Sequence, residues 1–308
     1  MKTTFLFFAL CALFFTACEP TVTPPTSNSK LIFKLKFDPT QARLNAFAQP
    51  STVPSGNAAQ DPQFNGMSAH KIELVPSNLT PVNGGTIVYH GAETTVGGNN
   101  ALDFDQAIVT TEGEVFFEIP LADVTPGTYP HIRVSVSYQN YDIVYNINNV
   151  PTFPSGTTNL INEKGTIAAF IGFNNYITNL TPKNISKSIH ANKLQGYWAF
   201  ETDLNSPYSA ANAIYSGNAP VTTVVNPLSG TTPTPPGSCL VTGSFDGNPL
   251  EITGDETEDV VVTLSFSTNN SFEWVDNNGN GALDIDFSAG TVEAVVDMGL
   301  RGLKPSFQ

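Results

Sequence analysis

Cysteine is nearly missing from this chain. Of three in 308 residues, Cys11 and Cys18 sit at the extreme N-terminus and Cys239 stands alone. That excludes a disulfide framework and a CxxC metal or redox site within the body of the protein. Cys239 has no neighbour in sequence that would activate it, so it reads as a small core or loop residue. Charge is also sparse, at 13% of residues, which argues against helices carried by salt-bridged faces. No Gly-x-Ser-x-Gly elbow, phosphate loop, dinucleotide fingerprint or HExxH is present, and the reading is non-enzymatic. Carboxylate pairs such as Glu114 with Glu118, or Asp103 with Asp105, read as the solvated face of strands. Basic residues are too few to neutralise phosphates at a net charge of −14, so nucleic acid is excluded as a partner.

What is abundant is Gly, Pro, Asn, Thr and Ser between short alternating runs, the composition of β structure with many turns. Leu31, Phe33, Leu35 and Phe37 alternate with Ile32, Lys34, Lys36 and Asp38, predicting a half-buried strand. Further strands are expected at Ala69–Val75, Thr86–His90, Glu114–Ile119, Ile132–Tyr138, Thr166–Phe173 and Gln195–Glu201. Tyr141–Ile147 is expected to form a hairpin with Ile132–Tyr138 through Gln139-Asn140. Pro39–Gly66, poor in apolar anchors, reads as a mobile insertion, and Pro182–Lys193 as a short helix opened by Pro182. The whole is expected to be mainly β, an antiparallel β-sandwich over 31–205 with a smaller acidic β module over 239–308. A Pro- and Thr-rich linker over 206–238 is expected between them. In the C-terminal module Asp259–Phe266 and Ser271–Val275 are expected to be adjacent strands.

The N-terminus carries an address. Lys2 precedes the apolar run Phe5–Phe15, and Thr16-Ala17-Cys18 closes it before Glu19-Pro20. The run is well short of the ~20 residues that span a bilayer, and reads as a signal peptide over 1–17. With a cysteine directly after Phe15-Thr16-Ala17, it resembles a bacterial lipoprotein signal. The resemblance implies cleavage before Cys18, a lipid on its sulfur, and a tether over 18–30. It further implies a lipid-anchored envelope protein, at the outer membrane on its periplasmic face or at the cell surface. Pro126-Gly127-Thr128-Tyr129 followed by an alternating strand resembles the turn of transthyretin-like and carboxypeptidase-regulatory-like sandwich modules. With Ile72-Glu73-Leu74 it is also similar to the metal-binding MbnP-like periplasmic proteins, which implies the immunoglobulin- or transthyretin-like sandwich architecture and no ligand residue.

Three ligand chemistries are open. Asp276, Asn278, Asn280, Ala282 (through its carbonyl) and Asp284 fall at calcium-loop spacing, with Asp286 as a substitute for the acid that Phe287 cannot supply. The same Asn278-Gly279-Asn280-Gly281 stretch is equally a metal-free hairpin turn. His70, His90 and His131, each in or beside a predicted strand, would suit a transition metal such as copper if the sandwich gathers them. Tyr138, Tyr141, Tyr145, Tyr197, Trp198 and Trp274 would stack on sugar rings if exposed, and otherwise belong to the core. The functional expectation is therefore a non-catalytic binding or structural envelope lipoprotein. Metal binding (calcium or copper) and glycan binding or processing are the alternatives, with a protein ligand also open.

Overall fold

The first predicted strand shows how this protein builds its sheets. In the computed structural model, which describes residues 28–220 and 239–308, Lys30–Asp38 buries Leu31, Phe33, Leu35 and Phe37 on one face. It lies parallel to Val260–Ser267, in register from Leu31 opposite Val260 to Asp38 opposite Ser267, and antiparallel to Val115–Pro120. Leu303–Phe307 completes this four-stranded sheet beyond Val260–Ser267. Val262, Leu264 and Phe266 alternate toward the same core, which explains why the two segments meet across more than 200 residues of sequence.

The second sheet is built on one 21-residue strand, His131–Pro151. Each of its edges is shared by two partners. Gln63–Val75 covers one edge along 131–142, and Leu283–Asp286 takes over in parallel along 145–148. Thr157–Phe170 covers the other edge along 138–151, with Cys239–Ser244 beside 131–136. The chain is thus mainly β, a layered arrangement of sheets on one large hydrophobic core, with a second, smaller cluster that includes Ile177 and Leu180 of Asn175–Leu180. The acidic C-terminal β structure of 239–308 is threaded into the sheets of the first 200 residues. A unit of that size alone would be only marginal in the apolar surface it buries.

Several local expectations are corrected. Tyr141–Ile147 does not fold back on Ile132–Tyr138. The strand runs straight through Gln139-Asn140, and the turn comes at Pro151–Thr157, where Gly156 adopts φ +106°. Gln139-Asn140 lacks the glycine that two-residue hairpin turns favour. Pro182–Lys193 is not helical: Lys187–Lys193 is a strand pairing with Asn175–Leu180, whose free edge outcompetes a weak helical preference. The N–H groups of Lys183, Asn184 and Ile185 meanwhile all donate to the buried carboxylate of Glu201. The expected linker starts later than 206, since Ile214–Asn218 is an edge strand on Tyr197–Thr202. Residues 221–238, like the expected signal peptide, Cys18 and the expected tether as far as 27, lie outside the described residues. Val260–Ser267 and Phe272–Val275 are not partners either. The latter joins Asn57–Gln60 and Val295–Asp297 in a separate small sheet.

Pro39–Gly66 is pinned rather than loose. Leu44 N–H donates to Arg301 O (2.9 Å), and Asn57–Gln60 pairs with Phe272–Val275. Arg43 reaches into a buried charge cluster, where its guanidinium meets Glu273 and the Asn270 carbonyl. Arg301 Nη2 lies 2.5 Å from Asp297 and 3.6 Å from Glu273 in the same cluster. Burial pushes the Asp297 carboxyl up to about 6, a rise that Arg301 and the Gly299 N–H only partly oppose. Because the folded value lies above the ordinary 3.8, this group's share of stability is full below about pH 4 and lost as pH rises through 6. Urea midpoints measured from pH 4 to 7 are expected to fall less steeply with rising pH in Asp297→Asn than in the parent protein. Parallel curves would refute this assignment.

Candidate metal centre

His70 owes its orientation to a bulge. Along the pairing of Gln63–Val75 with the central strand, Ala69 sits opposite Val136 and Lys71 opposite Ser135, so His70 is the extra residue. A bulge re-aims a side chain that regular alternation would have sent elsewhere. Thr86–His90 pairs antiparallel with the same strand, placing His90 opposite Lys71. Gly91 follows, its N–H bonded to the His70 carbonyl at 2.8 Å, and Glu93 two residues on reaches both imidazoles.

The result is a three-ligand cluster. His70 Nε2 and His90 Nε2 lie 2.8 and 2.9 Å from the same oxygen, Glu93 Oε1. One ligand atom from each residue falls within 4.8 Å of the other two, and among the described residues no other group of three His, Cys, Asp or Glu converges in this way. Metal bonds of about 2.0–2.2 Å to imidazole and carboxylate place adjacent ligand atoms roughly 3 Å apart, close to the two His–Glu93 separations.

The surroundings favour the protonation states that a metal requires. Burial pulls the His70 pKa down, keeping a neutral imidazole that Phe173 stacks against at 4.8 Å between ring centroids. Burial alone would raise Glu93, but hydrogen bonds from Asn100, His70 and His90 prevail and hold it at about 2, so it is a carboxylate. Asn100 Nδ2 donates to the second oxygen, Oε2, at 2.6 Å and leaves Oε1 to the histidines. Two imidazoles and one carboxylate suit zinc, copper(II) or iron(II), with coordination positions left open. The open side faces a cavity of about 310 Å³.

His131 does not join the other two. It lies at the start of the central strand, beside a different cavity shared with Asp246 and Lys304. Glu93 carries no signal in the sequence because its contact with His70 arises only when strand pairing sets His90-Gly91-Ala92-Glu93 beside His70.

The calcium-spaced residues are arranged otherwise. Asp276 Oδ1 accepts from Gly279 N–H (2.8 Å) and Asn280 N–H (3.2 Å), and its Oδ2 from Gly281 N–H (2.9 Å). Asp284 Oδ2 accepts from the side-chain amides of Asn278 (2.6 Å) and Asn280 (2.7 Å). The Ala282 carbonyl takes the Trp274 indole N–H at 3.2 Å, and Asp286 bonds Ser288, Ala289 and Asn149. The stretch is not a hairpin turn either, since its flanking strands belong to different sheets. The six aromatic residues considered for sugar stacking are all buried, which removes them as a glycan platform. Comparison with family models, curated proteins and solved structures finds no match to this chain.

Proposed function

We propose that this chain is a non-catalytic, lipid-anchored envelope protein that holds a transition-metal ion at His70, His90 and Glu93. The observation that carries the reading is the convergence of two imidazole nitrogens on one carboxylate oxygen. The neutral His70 and ionised Glu93 support it, because ligands must be deprotonated to bind. Asn100 on Glu93 and Phe173 on His70 supply the outer support that fixes ligand orientation. Copper(II) is the tightest-binding divalent ion expected, ahead of zinc, from the general order of affinities for nitrogen and oxygen donors. Anchoring rests on the sequence around Cys18, and an acyl label retained by the parent chain and lost from Cys18→Ala tests it.

Calorimetric titration of the chain with copper(II), and separately with zinc, is expected to give one ion per chain. His70→Ala and His90→Ala should each weaken binding at least tenfold, about the lower bound for disturbing a metal's supporting residues. Unchanged affinity in the double variant His70→Ala/His90→Ala would sink the assignment.

A further inference from the structure

The cavity in front of the metal centre has a chemistry of its own. Besides the ligands, its wall includes Lys71, Arg133, Val82 and Leu240. Arg133 is already neutralised, with Nη1 at 3.1 Å from Glu73 and Nη2 donating to the Thr80 carbonyl at 2.6 Å. Lys71 is different: its ammonium donates to the neutral Asn83 Oδ1 at 3.0 Å and forms no ion pair among the described residues. A divalent ion held by two neutral imidazoles and the Glu93 carboxylate keeps one positive charge, and Lys71 adds another on the same cavity. In a chain of net charge −14, such a spot selects an anion.

We propose that the open side of the centre takes a small organic carboxylate, one oxygen on the metal and the other on Lys71 Nζ. This rests on the metal reading above. Coordination displaces water by a carboxylate oxygen and changes no oxidation state. The apolar side chains of Val82 and Leu240 and the Phe173 ring offer contact to the organic body, which an inorganic oxyanion lacks. At about 310 Å³ the cavity matches the lower end of ordinary ligand pockets and limits the ligand to a few heavy atoms up to a single ring.

The test uses the mature chain loaded with copper(II), followed by electron paramagnetic resonance. The spectrum before any anion is added shows whether the centre is filled. Acetate and benzoate are expected to change the copper spectrum saturably, benzoate at lower concentration. Lys71→Met should raise the concentration needed at least tenfold, about the worth of a charge-assisted hydrogen bond, and Lys71→Arg should restore it. A filled copper centre whose spectrum ignores both carboxylates overturns the proposal, and so does a saturable change unaffected by Lys71→Met. Inorganic phosphate acting at the same concentration as benzoate overturns the organic assignment. A chain that takes up no copper overturns the metal reading itself, and this inference falls with it.

Discussion

Glu273→Ala is expected to destabilise the protein by about 3–5 kcal/mol, a large share of the 5–15 kcal/mol that folded domains typically hold in reserve. Glu273 is buried in Phe272–Val275 and serves three partners. Its Oε2 meets the Arg43 guanidinium and lies 3.6 Å from Arg301 Nη2, while Oε1 accepts from Asn57 Nδ2 at 2.6 Å. Alanine would leave Arg43 buried with only the Asn270 carbonyl as a partner, and an unpaired buried charge is far costlier than a lost surface contact. Asn57 and Arg43 both belong to the 39–66 segment, so this segment should come loose first. Protease cleavage within it is expected to rise in step with the fall in urea midpoint. Glu118→Ala is the control: its partner Lys30 is about half exposed, and such solvated pairs contribute little to stability. Comparable losses in the two variants would mean that the buried cluster contributes nothing beyond an ordinary ion pair.

That cluster also marks where sequence reading stopped. The alternation in Lys30–Asp38 was legible because one face meets the core and the other meets water, so residue type and burial carry the same period. The long central strand hides this period. Arg133, Ser135, Ser137 and Gln139 look like a solvated face, yet all four are buried, because loops and neighbouring strands cover both sides. Such a polar face gives no sign that the strand continues through Gln139-Asn140. Arg43 shows a second limit. A lone base in an apolar-poor stretch carries no local signal, and its partner lies 230 residues away. The candidate site was half legible for the same reason. His70 and His90 sit in predicted strands, whereas the bulge that aims His70 and the approach of Glu93 to both rings are properties of pairing, not of composition.

A melt in the presence of metal gives the largest expected effect at the site. Metal that binds only the folded chain adds about 2.7 kcal/mol at a hundred times its dissociation constant and about 4.1 at a thousand times. For a cooperative unit of this size each kcal/mol is worth some 2–4 °C, so copper(II) or zinc in large excess should raise Tm by on the order of 10 °C over a sample in chelator. The physical route is specific. His70 belongs to a strand paired with the central strand, while His90 ends Thr86–His90 and Glu93 lies three residues on, so an ion shared by the three ties that segment to the sheet. His90→Ala should therefore abolish most of the rise. Its own stability without metal should change little, because His90 is exposed and its bond to Glu93 is a partly solvated one. Calcium, which seeks six to eight oxygens, fits this nitrogen-rich set poorly and should give no comparable shift through it. A calcium-dependent rise that survives His90→Ala would move attention to the Asp276–Asp286 loop. A metal-dependent rise that survives both His90→Ala and Asp276→Ala would place the ion at neither site.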